Sequence, residues 1–255
     1  MTRVIKVGGR PQLAVELPAA LAAAHRAAPG SLVVVHGGGD ETSTLQRLYG
    51  TEPAFRGGRR VTSALDLEII RMSLSGSANK RLVAALVGAG VPAIGLSGED
   101  GALLTATPLD PDSLGFVGVP RDVNVALFSH LLAGGVLPVV SPVSRSADPA
   151  HGVTLNVNGD DAAAAIAAAL GASELLLVSD VAGVLVDGAP VATLDASEAQ
   201  RLIDTGIAQG GMGAKLQAAM AALDGGVERV RISDIAAIAQ LDRGTTLNRV
   251  GSVCA

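Results

Sequence analysis

The sequence is short of the residues on which several kinds of chemistry depend. It has one cysteine, Cys254, in 255 residues. That excludes an internal disulfide framework and a thiolate metal cluster, and Cys254 reads as an incidental terminal thiol. Aromatic residues make up 2%, with one Tyr, three Phe and no Trp. Stacking platforms for bases and aromatic cages for sugars or cations have nothing to be built from. Positive charge is scarce: 19 Lys and Arg stand against 24 Asp and Glu, for a net charge of −5. No field for a phosphate backbone is expected, and no nucleic-acid partner. Long apolar runs are missing too. The greasiest stretch, residues 162–178, is mostly alanine and is broken by Gly171, Ser173 and Glu174. It reads as helix, turn and strand, not as a membrane span. The N-terminal MTRVIKVGGR lacks the apolar core of a secretory signal. A cytoplasmic protein with no membrane partner is expected.

Familiar catalytic signatures are also absent. There is no G-x-G-x-x-G after a strand and no G-x-x-x-x-G-K-[ST]; the nearest string, GGMGAK at residues 210–215, has the wrong order. No G-x-S-x-G elbow occurs. His25, His36, His130 and His151 lack metal-ligand spacing. A Rossmann dehydrogenase, a serine hydrolase and a zinc enzyme are all disfavoured.

What is present is an alternation of short Val/Ile/Leu runs with Ala/Leu helical patterns, joined by glycine-rich turns. Strands are expected at residues 2–7, 32–36, 91–97, 137–143, 154–158, 174–179 and, last, 229–233. Helices are expected at 12–26, 42–48, 63–74, 78–87, 123–132, 160–170, 196–205 and 214–223, with Ser75-Gly76-Ser77 as a break. Residues 49–60 read as a loop with Gly57-Gly58 and three arginines. Residues 103–119, with Pro108 and Pro111, read as a hairpin excursion outside the sheet core. Continuous apolar strands alternating with helices imply an α/β fold: a mostly parallel central sheet with helices on both faces, as one domain over 1–255. Ligands in such sheets sit at the carboxyl ends of strands. Here the polar and glycine-rich signals follow Val7, His36, Ser97, Ser179 and Ser233.

Five stretches carry candidate chemistry. Lys6 lies inside the apolar strand VIKV before Gly8-Gly9. A lysine there is costly unless its charge is used, though it can also snorkel from the strand end. The glycines allow close approach of backbone N–H groups to an anion. His36-Gly37-Gly38-Gly39 follows a strand and opens a helix, which is an anion cradle or an ordinary tight turn; His36 reads as a packing residue. Asn156 and Asn158 of NVNGD share a face of an extended segment and suit a carboxylate- or amide-bearing substrate. Asp160 then stands at a helix start, as N-cap or as a functional carboxylate, and Asp161 reads as plain capping. Lys215 follows the glycines of GGMGAK, near the start of a helix. Asp180 to Leu185 (DVAGVL) leaves a strand end and suits a nucleotide's ribose or base.

In this order along the chain, these stretches resemble the amino-acid kinase family, and within it the N-acetylglutamate kinases. The similarity spans essentially the whole chain: KVGG (6–9), VVHGGG (34–39), GRRVT (58–62), SANKRLV (77–83), GLSGEDG (95–101), GFVG (115–118), LPVVSPV (137–143), LNVNGDDAA (155–163), LLLVSDVAGVL (175–185) and GGMGAK (210–215). LNVN-x-D together with RVT is fairly specific for acylglutamate kinases. The resemblance implies ATP-dependent phosphorylation of the γ-carboxylate of N-acetyl-L-glutamate, with Mg2+ carried by ATP and no metal held directly by the protein. It implies catalytic roles for Lys6, Lys215 and Asp160, and substrate contacts from Gly38, Gly39, Arg60, Asn156 and Asn158. Gly8, Gly9, Asp180, Val181, Ala182, Gly183, Val184, Leu185, Ile207, Ala208 and Gln209 would border ATP. An acyl-amino-acid and dimerisation lobe at about 1–170 and a nucleotide lobe at about 171–255 would follow, in a homodimer.

Departures from the family pattern leave some points open. Arg10 follows the glycine pair where small or apolar residues are usual, and could meet phosphate or extend the acyl pocket. Gly213-Ala214 replaces bulkier residues before Lys215 and could loosen it. Lys6 lies so near the start that the N-terminal helix of arginine-inhibited hexamers is not expected, nor inhibition by arginine. Related substrates (N-succinyl-glutamate or a carrier-linked aminoadipate) and a non-catalytic amino-acid or nucleotide sensor are the alternatives.

Overall fold

The structure is a computed structural model that describes residues 1–148, 150 and 154–248. His151 and Cys254 lie outside the described residues. The N-terminal part comprises β1 (Arg3–Val7), α1 (Leu17–Ala27), β2 (Leu32–His36) and α2 (Gly39–Leu48). A small hairpin, β3 (Phe55–Arg56) and β4 (Arg59–Arg60), leads to α3 (Ala64–Ile70), a π-helix (Arg71–Ala78) and α4 (Asn79–Gly88). Next come β5 (Ala93–Gly98), β6 (Leu104–Pro108), α5 (Pro111–Leu114), β7 (Val117–Val123), α6 (Val125–Ala133) and β8 (Leu137–Ser146). The chain continues through β9 (Thr154–Val157), α7 (Gly159–Ala169), β10 (Glu174–Val178), β11 (Leu185–Val186), β12 (Ala189–Pro190) and β13 (Thr193–Asp195). It ends with α8 (Ala196–Asp204), α9 (Gly210–Asp224), β14 (Arg229–Ser233) and β15 (Thr245–Asn248).

The main sheet runs β13-β15-β14-β10-β1-β2-β8-β6-β7-β9, with β5 also paired to β8. Its centre, from β14 through β10, β1 and β2 to β8 and β5, is wholly parallel. Every residue of β2 and β10 is buried, as the apolar runs LVVV and LLLV require. Side chains alternate between two cores. Val4, Val33, Val35, Leu175 and Leu177 pack with α7 and α9 residues on one face. Ile5, Val7, Val34, Leu176 and Val178 pack with Leu17, Leu21, Leu82 and Leu86 on the other. The same alternation turns Lys6 toward the α7 face.

Four expectations are corrected. Helix α1 starts at Leu17, because Pro11 sets a separate 3-10 turn over Pro11–Leu13. No break occurs at Ser75-Gly76-Ser77: the π-helix joins α3 to α4. Its serines spend their hydroxyls outside the helix, Ser73 on Thr42 at 2.6 Å and Ser75 on Ser141 at 2.7 Å, so they do not compete for its backbone. The residue 103–119 hairpin belongs to the sheet. β6 pairs with β8, and Leu104, Ala106 and Val117 are buried. Within β7, β9 pairs with Val117 and Gly118 and stops there, so Pro120 sits where that side of β7 needs no ladder donor. Finally, β14 is not the last strand: the short, half-polar TTLN forms β15, antiparallel to β14.

Candidate active site

The parallel strands end together, and the loops after β1, β2, β9 and β10 meet there. β1 holds Lys6 and α7 holds Asp160, each nearly buried. Lys6 Nζ lies 2.9 Å from Asp160 Oδ1. Lys215 Nζ, from the second turn of α9, lies 3.1 Å from Asp160 Oδ2. Two ammonium groups 209 positions apart thus grip opposite oxygens of one buried carboxylate. Burial, opposed by Asp160 and reinforced by Lys215, lowers the Lys6 pKa. Burial pushes Asp160 up, but the two lysines outweigh it and hold its carboxyl below the ordinary range. Asp160 is therefore an anion, placed to fix cations and unsuited to accept a proton near neutrality.

Asp160 is not the N-cap. Asn158 caps α7, its Oδ1 accepting from the Asp160 N–H at 2.8 Å. That frees the Asp160 side chain to turn inward. Gly159 supplies the room: a Cβ there would lie 3.2 Å from Lys6 Cε.

Two clefts meet at this cluster. One, of about 350 Å³, is lined by Gly8, Gly9, Arg10, Asp40, Val178–Val181, Gly211, Met212 and Lys215, among others. The other, of about 200 Å³, is lined by Lys6, Gly37, Gly38, Phe55, Gly58, Arg59, Arg60, Ile70, Leu74, Asn156, Asn158 and Asp160, among others. Gly9 and Gly39 belong to both walls. Lysine 6 thus faces the second cleft and Lys215 the first, with Asp160 between their amines. The first turns of α2 and α9 border the first cleft, and those of α2 and α7 border the second. Helix N-termini favour anionic ligands.

Most of the expected residues come together. Asn156 and Asn158 both face the second cleft, with Asn156 also donating to Thr62 Oγ1 at 3.0 Å. Arg60 lies there too, held to Gln46 and, at 3.0 Å each, to the Gly39 carbonyl and Ser43 Oγ. Its guanidinium stacks 4.6 Å from the Phe55 ring centre. Burial lowers the Arg60 pKa, and no carboxylate pairs with it among the described ion pairs, which suits an anionic ligand. Asp180 and Val181 line the first cleft, where Asp180 meets Arg10 at 3.4 Å. Arg10 therefore belongs to this cleft and not to the acyl side. Lys215 is well held despite Gly213-Ala214: Gly213 packs against the Ala208 carbonyl, with 3.0 Å to an added Cβ, and lies inside α9.

Other residues singled out in the sequence take different places. The Gly8 N–H donates to the Val178 carbonyl at 3.2 Å, extending the sheet, so it is not a free anion donor. Val184 and Ala208 are core residues. Ala182, Gly183 and Leu185, with Ile207 and Gln209, are not among the residues lining the first cleft. Gln209 instead is the N-cap residue of α9, and Val184 N–H is held by Thr245 Oγ1 at 2.8 Å. His36 is fully buried; its Nδ1 lies 2.9 Å from the Gly37 carbonyl and its Nε2 3.0 Å from Asn79 Nδ2. Burial pushes its pKa down to about 4, so it packs as a neutral ring. Asp161 is more than a helix-start residue: it pairs with Arg59 at 2.5 Å. Nothing in the sequence links two residues 102 positions apart, although both adjoin expected site residues. Among the described residues, no group of three or more His, Cys, Asp or Glu is placed to hold a metal ion.

Comparisons with known proteins identify the family. The sequence model of the Amino acid kinase family matches residues 1–234. An acetylglutamate kinase of Roseiflexus sp. (strain RS-1) is 43% identical over 248 residues, covering 96% of this chain and 93% of that one. An acetylglutamate kinase of Geobacillus kaustophilus (strain HTA426) is 44% identical over 201 residues, covering 79% and 77%. Among solved structures, smu.665 from Streptococcus mutans UA159 matches with a TM-score of 0.87 at 30% identity, covering 97% and 98%. The N-acetylglutamate synthase of Neisseria gonorrhoeae matches with a TM-score of 0.81 at 29% identity, covering 97% of this chain and 61% of that one. The protein belongs to the amino-acid kinase family.

Proposed function

We propose that the protein phosphorylates the γ-carboxylate of N-acetyl-L-glutamate with ATP, giving the acyl phosphate and ADP, a step of arginine biosynthesis. The observation that carries this is the meeting of two clefts at one Lys–Asp–Lys cluster. The relatives at 43–44% identity supply the substrate.

A carboxylate is already ionised near pH 7. It attacks the γ-phosphorus directly, a new O–P bond forms, and the bond to the β-phosphate oxygen breaks, with the electron pair leaving on ADP. No proton has to be removed, so no general base is needed. The obstacle is repulsion between two anions, met by fixed positive charge and oriented dipoles. Lys6 serves the amino-acid side and Lys215 the nucleotide side, with Asp160 orienting both. Gly9, Gly38 and Gly39 are the backbone donors. Arg60 grips the α-carboxylate, and Asn156 and Asn158 hold the neighbouring amide. Asp180 and Val181 border ATP, with Ala182, Gly183, Leu185, Ile207 and Gln209 continuing that border and the core residues Val184 and Ala208 supporting it. Further positive charge would come from Mg2+ carried in with ATP, with no cluster of protein ligands to hold it among the described residues. In this reading residues 1–170 form the acyl-amino-acid lobe and 171–255 the nucleotide lobe, of a cytoplasmic homodimer.

The test is ADP release with N-acetyl-glutamate, N-succinyl-glutamate, glutamate, aspartate and UMP in parallel. N-acetyl-glutamate should give the highest kcat/KM. A higher value with any other acceptor overturns the substrate, and no ADP release with any of them overturns the activity.

A further inference from the structure

The β3–β4 hairpin has two residues in each strand, joined by Gly57 and Gly58 at φ of +56° and +75°. So short a hairpin has no stability of its own and must be held by what it touches. On one side Arg60 reaches α2 through Gly39, Ser43 and Gln46. At the tip, Gly58 abuts the first turns of α9: a Cβ there would lie 3.6 Å from the Gly210 carbonyl oxygen and 3.9 Å from Ala214 Cβ. On the other side Arg59 reaches α7, its Nη1 2.5 Å from Asp161 Oδ2. Neighbouring strand residues point to opposite sides, so Arg59 and Arg60 brace the hairpin in two directions.

The Arg59 and Asp161 side chains are only 23% and 17% exposed. An ion pair so shielded is weakened less by salt than a surface pair. Asp161 also directly follows Asp160, the carboxylate that holds both lysines. The bond therefore ties the hairpin's position to the same helical turn that organises the reacting centre.

We propose that the Arg59–Asp161 ion pair latches the β3–β4 hairpin over the amino-acid cleft, making Arg59 and Asp161 positioning residues for Arg60. The inference rests on the proposed function for its kinetic consequence, but the latch can be read without catalysis. Breaking the pair removes the brace to α7 and lets the hairpin shift about its base, where Val61 N–H meets the Ala54 carbonyl at 2.9 Å. Arg60 then meets the substrate carboxylate in the wrong place, while the ATP cleft keeps its walls.

Asp161→Asn and Arg59→Gln test this, with Asp161→Glu and Arg59→Lys as variants that retain the pairing. Each of the first two should raise KM for N-acetyl-glutamate about tenfold, the scale on which contacting residues couple. KM for ATP should stay within about twofold, and kcat should fall less than KM rises. The conservative variants should recover most of the loss. Limited trypsin digestion of the substrate-free protein gives the independent readout. Asp161→Asn keeps Arg56, Arg59 and Arg60 as cleavage points, and should be cut in the hairpin several-fold faster than the wild type. The proposal is overturned if Asp161→Asn matches the wild type in amino-acid KM and hairpin cleavage, or if Asp161→Glu is as impaired as Asp161→Asn. Faster cleavage in Asp161→Asn, with a wild type inert toward N-acetyl-glutamate, would uphold the latch and reject the substrate.

Discussion

At the scale of single residues, the central fact is a shortage of negative charge. Two nearly buried lysines share one carboxylate, so with both amines protonated the cluster carries a net positive charge that an anionic ligand would neutralise. Such a cluster makes sense where two anions must be brought together. Lys6→Ala and Lys215→Ala should each lower kcat by about 10²–10³, the scale of losing one fixed donor to a transition state. Steady-state kinetics on folded variants checks this; kcat within a few-fold of the wild type would remove the lysines from the chemistry. The sequence makes the lysines legible because a charge in an apolar strand or beside glycines stands out. Sequence alone leaves Asp160 two roles, since any carboxylate at a helix start can cap. Only the neighbouring Asn158, which takes the cap, settles what Asp160 is free to do.

At the scale of elements, the site is assembled by turns that accept no side chain. Gly115 is the sharpest case. Its φ is +71°, and an added Cβ would lie 2.3 Å from the Thr62 carbonyl oxygen. This contact pins the segment after Arg60 to the turn between α5 and β7, through Thr62 N–H to the Leu114 carbonyl at 2.9 Å and Phe116 N–H to the Thr62 carbonyl at 2.8 Å. Gly115→Ala meets backbone that cannot yield, and should cost about 2–4 kcal/mol. Gly57→Ala is the control: φ is also positive, at +56°, but nothing lies within 4 Å. It should cost only about 1 kcal/mol. Urea unfolding of the two variants measures both; equal losses would refute the steric account. The sequence marks these glycines as turns, but it cannot distinguish an open turn from one pressed against another chain segment. The π-helix is hidden from the sequence for a similar reason. Ser-Gly-Ser reads as a break until Thr42 and Ser141 are seen to take the hydroxyls.

At the scale of the whole molecule, the parallel sheet has two distinct ends. Chemistry gathers at the carboxyl ends of the strands. At the opposite end Glu174 binds Arg3 at 2.5 Å, Arg229 at 3.0 Å and the fully buried Arg231 at 2.6 Å. Burial raises the Glu174 pKa, but the arginines outweigh it and the net shift is downward. Its contribution to stability is present above the ordinary carboxyl range and is lost as pH falls through the lowered folded value. His36 acts in the same direction at higher pH. Its pKa drops from 6.5 to about 4 on folding. Stability from the neutral ring is full above pH 6.5 and declines as pH falls toward 4, by about 3 kcal/mol in all. Melting temperatures should therefore fall between pH 6.5 and 4, and less steeply in His36→Gln. An unchanged slope in that variant would place the acid lability elsewhere.

The sequence by itself determined the layered α/β architecture and the strand ends where the site would form, because burial of a parallel sheet writes apolar runs and glycine turns directly into the chain. It also determined the family, through motifs whose order runs from residue 6 to residue 215. Tertiary structure alone decided which partner each charge takes. The Arg59–Asp161 pair, the commitment of the Gly8 amide to the sheet and the inward turn of Asp160 all depend on distances between segments far apart in the chain. Local propensity is silent there, because ion pairs and hydrogen bonds are settled by ångström-scale packing and not by neighbours in sequence.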